Sequence, residues 1–333
     1  MRYEPKPAFI ERMKLLLDDD EDLEKFLEVA KSKPQKSIRV NTLKISPEKL
    51  KEKLKLKGWE LSEIKDHPEI LRIESKLEPG EIGKTKEHLL GEYYSQEITS
   101  MMPIIALNPQ PDEILLDCCA APGSKTTQAA ALMQNKGTIF ANDLTISRII
   151  ILAANLERQG VTNTIMTRHD AIALSNKFKK VGLKFKKILV DAPCSGEGNI
   201  RVSPRTYVEW SENLVKAMGK RQKRIASSML ELLEEGGEMI YSTCTHAPEE
   251  NEEVVQHLLD NNPDIEIQEI TLPIKTRPGI TSWKDKTFSK ELTKCHRIYH
   301  HDNDMEGFFV CKFRKGKNPL NKSTPLQNSG DTK

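Results

Sequence analysis

Residues 113–133 read EILLDCCAAPGSKTTQAAALM. A short apolar run stops on Asp117. A loop of small residues with one glycine follows, and from Ser124 the residues are mostly good helix formers. Strand, tight loop and helix in that order make the first half of a β-α-β unit. Gly and Ala in the loop let a ligand approach the backbone, and the helix start behind them presents free N–H groups. The loop is not G-x-G-x-x-G, so the dinucleotide fingerprint is absent. It is also not G-x-x-x-x-G-K-[ST], so it is not a P-loop.

Outward from this stretch the pattern repeats. GTIFANDL (137–144) reads as a second strand and ISRIIILAANLERQG (146–160) as a helix ending at Gly160. NTIMTRHD (163–170) reads as a third strand and KKILVDAPC (186–194) as a fourth, followed by a long helix from about Val208 to Glu235. GGEMIYSTCT (236–245) reads as a fifth strand and PEENEEVVQHLLDNN (248–262) as a helix. DIEIQEI (264–270) and GFFVCKFRK (307–315) close the set. Strands alternating with helices across short connections predict one α/β domain over 91–314, with a Rossmann-like, doubly wound, mostly parallel sheet.

Residues 1–90 read as a separate small α+β unit. PAFIERMKLLLDDDEDLEKFLEVAKS (7–32) is expected to be helical and SIRVNTLKI (37–45) a strand. SPEKLKEKLKLKG (46–58) is expected to be a helix capped by Ser46 and stopped at Gly58. WELSEI (59–64) and EILRIES (69–75) read as two further strands, and EPGEIGKTKEH (78–88) as a linker. The polar tail, 315–333, is expected to be disordered.

Ligands of an open parallel sheet bind beyond the carboxyl ends of its strands. Here the five strands end in DCCAAPGSKT, NDL, HDA, DAPCSGEG and STCT, so every end carries an acid or a cysteine. Asp143, at the second end, is placed to accept the two hydroxyls of a ribose, and Asp170, at the third, an adenine amino group. With no pyrophosphate loop, an adenosine-bearing ligand such as S-adenosylmethionine fits. Cys194 and Cys244 end the fourth and fifth strands. Cys is often no more than a buried small hydrophobe, but two of them facing one crevice, beside Asp191 and Pro193, read as thiol chemistry. A pyrimidine is an acceptor that needs it, because C5 is a poor nucleophile until a thiolate adds at C6.

The bulk numbers fit this reading. The chain has 333 residues, 37% hydrophobic and 30% charged, without the roughly 20-residue apolar run of a membrane helix. MRYEPKPAFIERMK lacks the apolar core of a secretory signal, so a cytoplasmic protein is expected, with its six Cys free and no metal site, since no C-x-x-C occurs. Net charge is +2, yet basic residues cluster: ten Lys or Arg lie between Lys31 and Lys57, and KFKKVGLKFKK (177–187) and KAMGKRQKR (216–224) contain no acid. Several separate basic stretches fit a polyanion groove.

LDCCAAPGSKT (116–126), DAPCSGEG (191–198) and YSTCT (241–245) together resemble the Nol/Nop/Sun family of RNA cytosine-5 methyltransferases. SIRVNTLK (37–44), GEYYSQEITSMMP (91–103) and GFFVCKFRK (307–315) extend the likeness over most of the chain. The resemblance implies a class I methyltransferase fold with an RNA-binding N-terminal unit. It implies that Cys244 is the nucleophile toward C6 and that Cys194 assists release of the covalent adduct. Asp191 would face the cytosine N3 and amino edge, with Lys125 near the base. S-adenosylmethionine would be held by Cys119, Ala120, Ala121, Pro122, Gly123, Ser124 and Lys125 with Asp143, Arg148, Asp170 and Asp191. Ser124 stands where the family often has Gly, and Asn41 and Gln96 fall within family motifs. Without an obvious extra C-terminal domain the chain is similar to compact archaeal members that act on tRNA, and a monomer is expected. Ribosomal RNA is the alternative substrate, and an RNA-binding assembly factor without catalysis the alternative role. An amino-methylase would carry D/N-P-P-Y/F where this chain has DAPC. His246 reads as a surface-loop histidine, and the helix from about Pro248 as a dipole aimed at Cys244.

Overall fold

In a computed structural model describing residues 4–316, two sheets organise the chain. The smaller contains β1 (Ser37–Val40), β2 (Leu61–Ile64), β3 (His67–Ile73) and β4 (Tyr93–Ser95), all antiparallel in the order β2-β3-β1-β4. The helix Pro47–Lys55 packs on it. Ser46 accepts from the Lys49 N–H, and Leu50 and Leu54 are buried with Ile38, Val40, Leu71 and Trp59.

The larger sheet starts with β5 (Ile114–Asp117), β6 (Thr138–Asp143), β7 (Thr164–Arg168), β8 (Phe185–Asp191) and β9 (Leu233–Thr243). After β10 (Ile265–Gln268), β11 (Arg277–Pro278) and the small hairpin β12 (Ser282–Trp283) and β13 (Lys286–Thr287), it is completed by β14 (His296–Ile298) and β15 (Phe308–Lys315). Its order is β7-β6-β5-β8-β9-β15-β14-β11, with β10 also on β15. The β7-to-β9 part is parallel, and β15 runs antiparallel to β9. The chain winds outward from β5 to β7 and then returns across β5 to lay down β8 and β9. The crevice therefore opens between the ends of β5 and β8, where the winding reverses. Helices cover both faces, which is why β5 and β8 read as nearly unbroken apolar runs.

The doubly wound reading holds, and four details differ. The helical segment expected over 7–32 is two helices, Pro7–Leu16 and Asp20–Val29, split where the Asp19 carboxylate caps the Asp22 N–H at 2.8 Å. Both join the core of the larger sheet, with Phe9 edge-on to Tyr207 and Trp210, each at 5.5 Å. The small sheet itself also includes β4, beyond residue 90. The linker over 78–88 contains two short helices, Glu81–Lys84 and Lys86–Leu89. The long helix spans only Glu212–Leu230, because Ser211 caps it by accepting from the Leu214 N–H at 3.1 Å. The expected tail falls outside the described residues, except that β15 runs on to Lys315.

The small sheet is fastened to the helix Ile146–Gln159 through backbone. Asn41 Nδ2 donates to the carbonyls of Gly91 and Gln159, both at 2.8 Å. Gly91 has φ +69°, and a Cβ there would stand 1.8 Å from the Arg158 carbonyl oxygen. Gly91→Ala is therefore expected to cost about 3 kcal/mol, from a strained backbone and an approach that cannot relax. Gly83→Ala, where a Cβ meets nothing within 4 Å, should stay within about 0.5 kcal/mol. Urea midpoints of the two variants measure the difference.

Candidate active site

β8 and β9 are parallel neighbours with Asp191 in register with Ser242, so the residues just beyond them share one rim. Ser242 Oγ donates to Asp191 Oδ1 at 2.8 Å. One turn further on, Cys194 Sγ and Cys244 Sγ lie 2.8 Å apart, and the Cys244 N–H points at Cys194 Sγ from 3.3 Å. The Cys194 thiol is held well above the ordinary thiol range, first by its bond to Cys244 and then by burial. The pair thus keeps a proton on Cys194 and turns the Cys244 sulfur toward the crevice. Asp191 Oδ2 pairs with Lys125 Nζ at 2.7 Å, and Lys125 also donates to Ser100 Oγ at 2.9 Å and lies 5.3 Å from the Phe308 ring centre.

Two cavities meet at this point. One, of about 300 Å³, is lined by Glu97, Lys125, Asp191, Cys244, Glu306 and Phe308. The other, of about 440 Å³, is lined by Asp143, Arg148, Asp170, Pro193 and Cys194. Cys119, Ala121, Asp191, Ala192 and Cys244 border both. A group bound in one would reach a group bound in the other across the two cysteines.

The second cavity is framed by the loop that opens the sequence. Gly123 adopts φ +102°, which turns the chain into the helix Ser124–Leu132. Asp143 receives the Ala121 N–H at 3.1 Å, the Leu144 N–H at 2.8 Å and Arg148 Nε at 2.9 Å. Asp143, placed by the sequence to accept ribose hydroxyls, also fixes the loop. Asp170 Oδ1 caps the helix Ala171–Lys180 by accepting from Ile172 and Ala173 N–H groups at 3.0 and 3.2 Å. Two carboxylates beyond adjacent strand ends, in a cavity of this size, fit the hydroxyl and amino donors of an adenosine-bearing ligand.

Several residues land differently from the sequence reading. His246 is not on a surface loop. It is 1% exposed, stacked on Tyr299 at 4.8 Å, and burial pushes its pKa well below the usual histidine range. The following helix begins only at Glu252, so its dipole is not aimed at Cys244. Gln96 is buried as a partner of Arg39 and lies outside both cavity linings. Sequence reasoning missed Asp117, Glu97, Ser100, Glu306 and Phe308 as lining groups. The signal was partly there: Asp117 stands in DCC, and four of the five lie in or beside motifs quoted only as wholes.

Glu250, also missed, ties the cysteine loops together. It is fully buried and accepts from the Ser195 N–H at 2.9 Å and Gln222 Nε2 at 2.8 Å, while Gln222 Nε2 also reaches the Pro193 carbonyl at 2.9 Å. Glu250→Ala frees the segment that holds Cys194. Turnover is expected to fall about 10²-fold, the scale of a 1 Å misplacement, with ligand binding in the larger cavity retained. Steady-state rates beside calorimetric titration with S-adenosylmethionine check this.

The sheet order and strand-end crevice are those of class I methyltransferases. Comparison with known proteins narrows this. A model described as 16S rRNA methyltransferase RsmB/F matches residues 104–314, and one for the N-terminal domain of 16S rRNA methyltransferase RsmF matches residues 6–98. The chain is 40% identical over 300 residues to a tRNA (cytosine(49)-C(5))-methyltransferase of Pyrococcus abyssi, covering 90% of this chain and 93% of that one. It is 36% identical to the ribosomal RNA small subunit methyltransferase F of Vibrio campbellii, covering 92% of this chain but 63% of that longer one. A methyltransferase homolog of Pyrococcus horikoshii superposes with a TM-score of 0.82 at 34% identity over 94% and 96% of the two chains. NSun6 of the same organism, crystallised with SFG, superposes at 0.81 and 26% identity over 94% and 99%. The chain belongs to the RsmB/F family, the Nol/Nop/Sun group of RNA cytosine-5 methyltransferases.

Proposed function

We propose that this chain transfers a methyl group from S-adenosylmethionine to C5 of a cytosine in tRNA, through a covalent bond between Cys244 and C6. The observation that carries the reading is the facing pair of sulfurs, 2.8 Å apart, at the junction of two cavities beside the Asp191–Lys125 pair. The smaller cavity takes the flipped base, and the larger takes S-adenosylmethionine, which supplies an electrophilic methyl group. Its adenosine would lie against Asp143 and Asp170, with residues Cys119 to Lys125, Arg148 and Asp191 around it. Cys244 adds to C6, Asp191 accepts from the cytosine amino group, and Lys125 holds Asp191 in place. With Cys244 bonded to C6, Cys194 gives its own proton to solvent and then takes the C5 proton as the adduct breaks. The basic small unit grips phosphate, which gives affinity more than sequence choice. We assign the protein to the cytoplasm.

The tRNA reading is favoured by the Pyrococcus abyssi relative, which matches end to end. A ribosomal RNA reading is favoured by the descriptions of both family models. The test is methyl transfer from labelled S-adenosylmethionine to unmodified tRNA transcripts and to unmethylated 16S rRNA, with the product nucleoside identified. 5-Methylcytosine in tRNA is expected. Its appearance in rRNA alone changes the substrate, and its absence from both overturns the reading.

A further inference from the structure

The smaller cavity holds a carboxyl group that the proposed mechanism does not use. Glu306 precedes β15 and is 4% exposed. Among the described residues no hydrogen bond of full geometry reaches either carboxyl oxygen, although the Val202 N–H lies close by. The Arg201 charge works to lower its pKa, but the guanidinium makes no hydrogen bond to it. Arg201 spends its donors on the Met305 carbonyl at 3.0 Å, Ser32 Oγ at 2.8 Å, the Lys33 carbonyl at 3.1 Å and Asp304 at 2.5 Å. Its neighbour in the lining, Glu97, is by contrast well served: Oε2 accepts from the Thr99 N–H at 2.6 Å and from its hydroxyl, and Oε1 faces the Glu306 N–H at 3.3 Å. Of the two acids, the less well served is the one to hold a proton. Burial and the adjacent Glu97 push the Glu306 pKa up to about 8, against Arg201 and the Val202 N–H, which lower it.

The backbone aims this group. The Gly307 N–H donates to the Gly198 carbonyl and the Gly198 N–H to the Cys244 carbonyl, both at 2.9 Å. A Cβ on Gly198 would come within 2.2 Å of the Gly307 carbonyl oxygen. The segment carrying Glu306 is thus locked onto the loop that carries Cys244. Asp191 already accepts from Lys125 and Ser242 and offers the base only lone pairs. Nothing in the proposed mechanism supplies a proton to the ring.

We propose that Glu306 is the acid that protonates N3 of the target cytosine as Cys244 adds to C6. The inference rests on the proposed cytosine-5 chemistry. The thiolate forms the S–C6 bond, the electrons of C5=C6 move to form C4=C5, and those of C4=N3 take the Glu306 proton, leaving a carboxylate. C5 then bonds the methyl carbon as the methyl–sulfur bond breaks, C4=N3 re-forms as a cation, and N3 returns its proton to Glu306. Once Cys244 is bonded to C6, Cys194 gives its own proton to solvent, and its thiolate then removes the C5 proton, C5=C6 re-forms and the Cys244 thiolate leaves. The net change is one methyl gained and one proton released.

The experiment compares wild type, Glu306→Gln, Glu306→Asp and Asp117→Asn on one unmodified tRNA transcript, or on 16S rRNA if that is the substrate, between pH 6 and 10. The groups around Glu306 that could also titrate are Glu97 on the helix side, Lys125, Asp117 and Asp191 at the strand ends, Arg201 and Cys244. Asp117 is the rival, since burial and then Asp191 push it up to about 7 despite its bond from Thr126. Wild-type kcat should fall as pH rises past about 8, as Glu306 loses its proton. Glu306→Gln should lower kcat about 10²-fold, abolish that alkaline limb, and leave KM for RNA and affinity for S-adenosylmethionine within about threefold. Glu306→Asp, which keeps the acid, should recover part of the rate. Unchanged affinity for S-adenosylmethionine also shows that the variants fold. The proposal is overturned if Glu306→Gln keeps the wild-type rate and limb, or if Asp117→Asn alone removes the limb. A wild type that makes no 5-methylcytosine in either RNA overturns the proposed function first, and this step with it.

Discussion

Cys244→Ala is expected to lower methyl transfer by about 10⁴-fold or more, since without the thiolate C5 remains unreactive and binding alone survives. Cys194→Ala is expected to fail differently. Its adduct still forms through Cys244, but the C5 proton has no nearby base and the C6–S bond cannot break. A covalent protein–RNA complex should then accumulate and persist on a denaturing gel. The two sulfurs sit in different surroundings. Cys194 keeps its proton because Cys244 and burial both disfavour its thiolate, while Cys244 borders both cavities. Labelled methyl transfer and the gel are read on the same samples. If Cys244→Ala accumulates the complex and Cys194→Ala does not, the two assignments are exchanged.

Arg297→Met is expected to give the largest loss of stability. Arg297 is 2% exposed and Glu252 is fully buried, and they form a two-pronged pair at 2.6 and 2.5 Å. Arg297 also donates to the His246 carbonyl at 2.9 Å, so it closes the segment from Cys244 to the helix Glu252–Asn261. Without the guanidinium an uncompensated carboxylate stays in the core, at a cost of about 3–5 kcal/mol, or roughly 5 °C in Tm for a chain of this length. Glu252→Gln in the same chain removes the stranded charge and still accepts from the Ile280 N–H, now at 3.2 Å from Glu252. The double variant should regain more than half of the loss. Thermal melts of the two variants measure this, and an Arg297→Met shift below about 1 kcal/mol would show that water reaches Glu252.

The parallel sheet was legible because its signals are local. Buried central strands are apolar runs, and each ends where an Asp or Cys meets a small residue, as at Asp117, Asp143 and Asp191. The two cysteines were legible for the same reason: consecutive strands of a doubly wound sheet end at one edge. Where the first two helices pack was not legible, because amphipathicity shows that Phe9, Met13 and Phe26 seek a core without showing which one. His246 was misread for a related reason. A polar residue after a strand looks exposed until Tyr299 and Phe26, far along the chain, close over it.

What the sequence determined by itself is the order of strands and helices, the small-residue loop at Cys119 to Lys125, and the identity of the groups at the strand ends. These follow from backbone periodicity and from short connections, which act over a few residues. What only the tertiary structure decided is which distant side chains share a cavity and in what protonation state. Glu97 and Glu306 are 209 residues apart, yet the Glu306 N–H faces the Glu97 carboxylate at 3.3 Å. Burial raises the pKa of both, and the hydrogen bonds that serve Glu97, which no local pattern encodes, set the two apart.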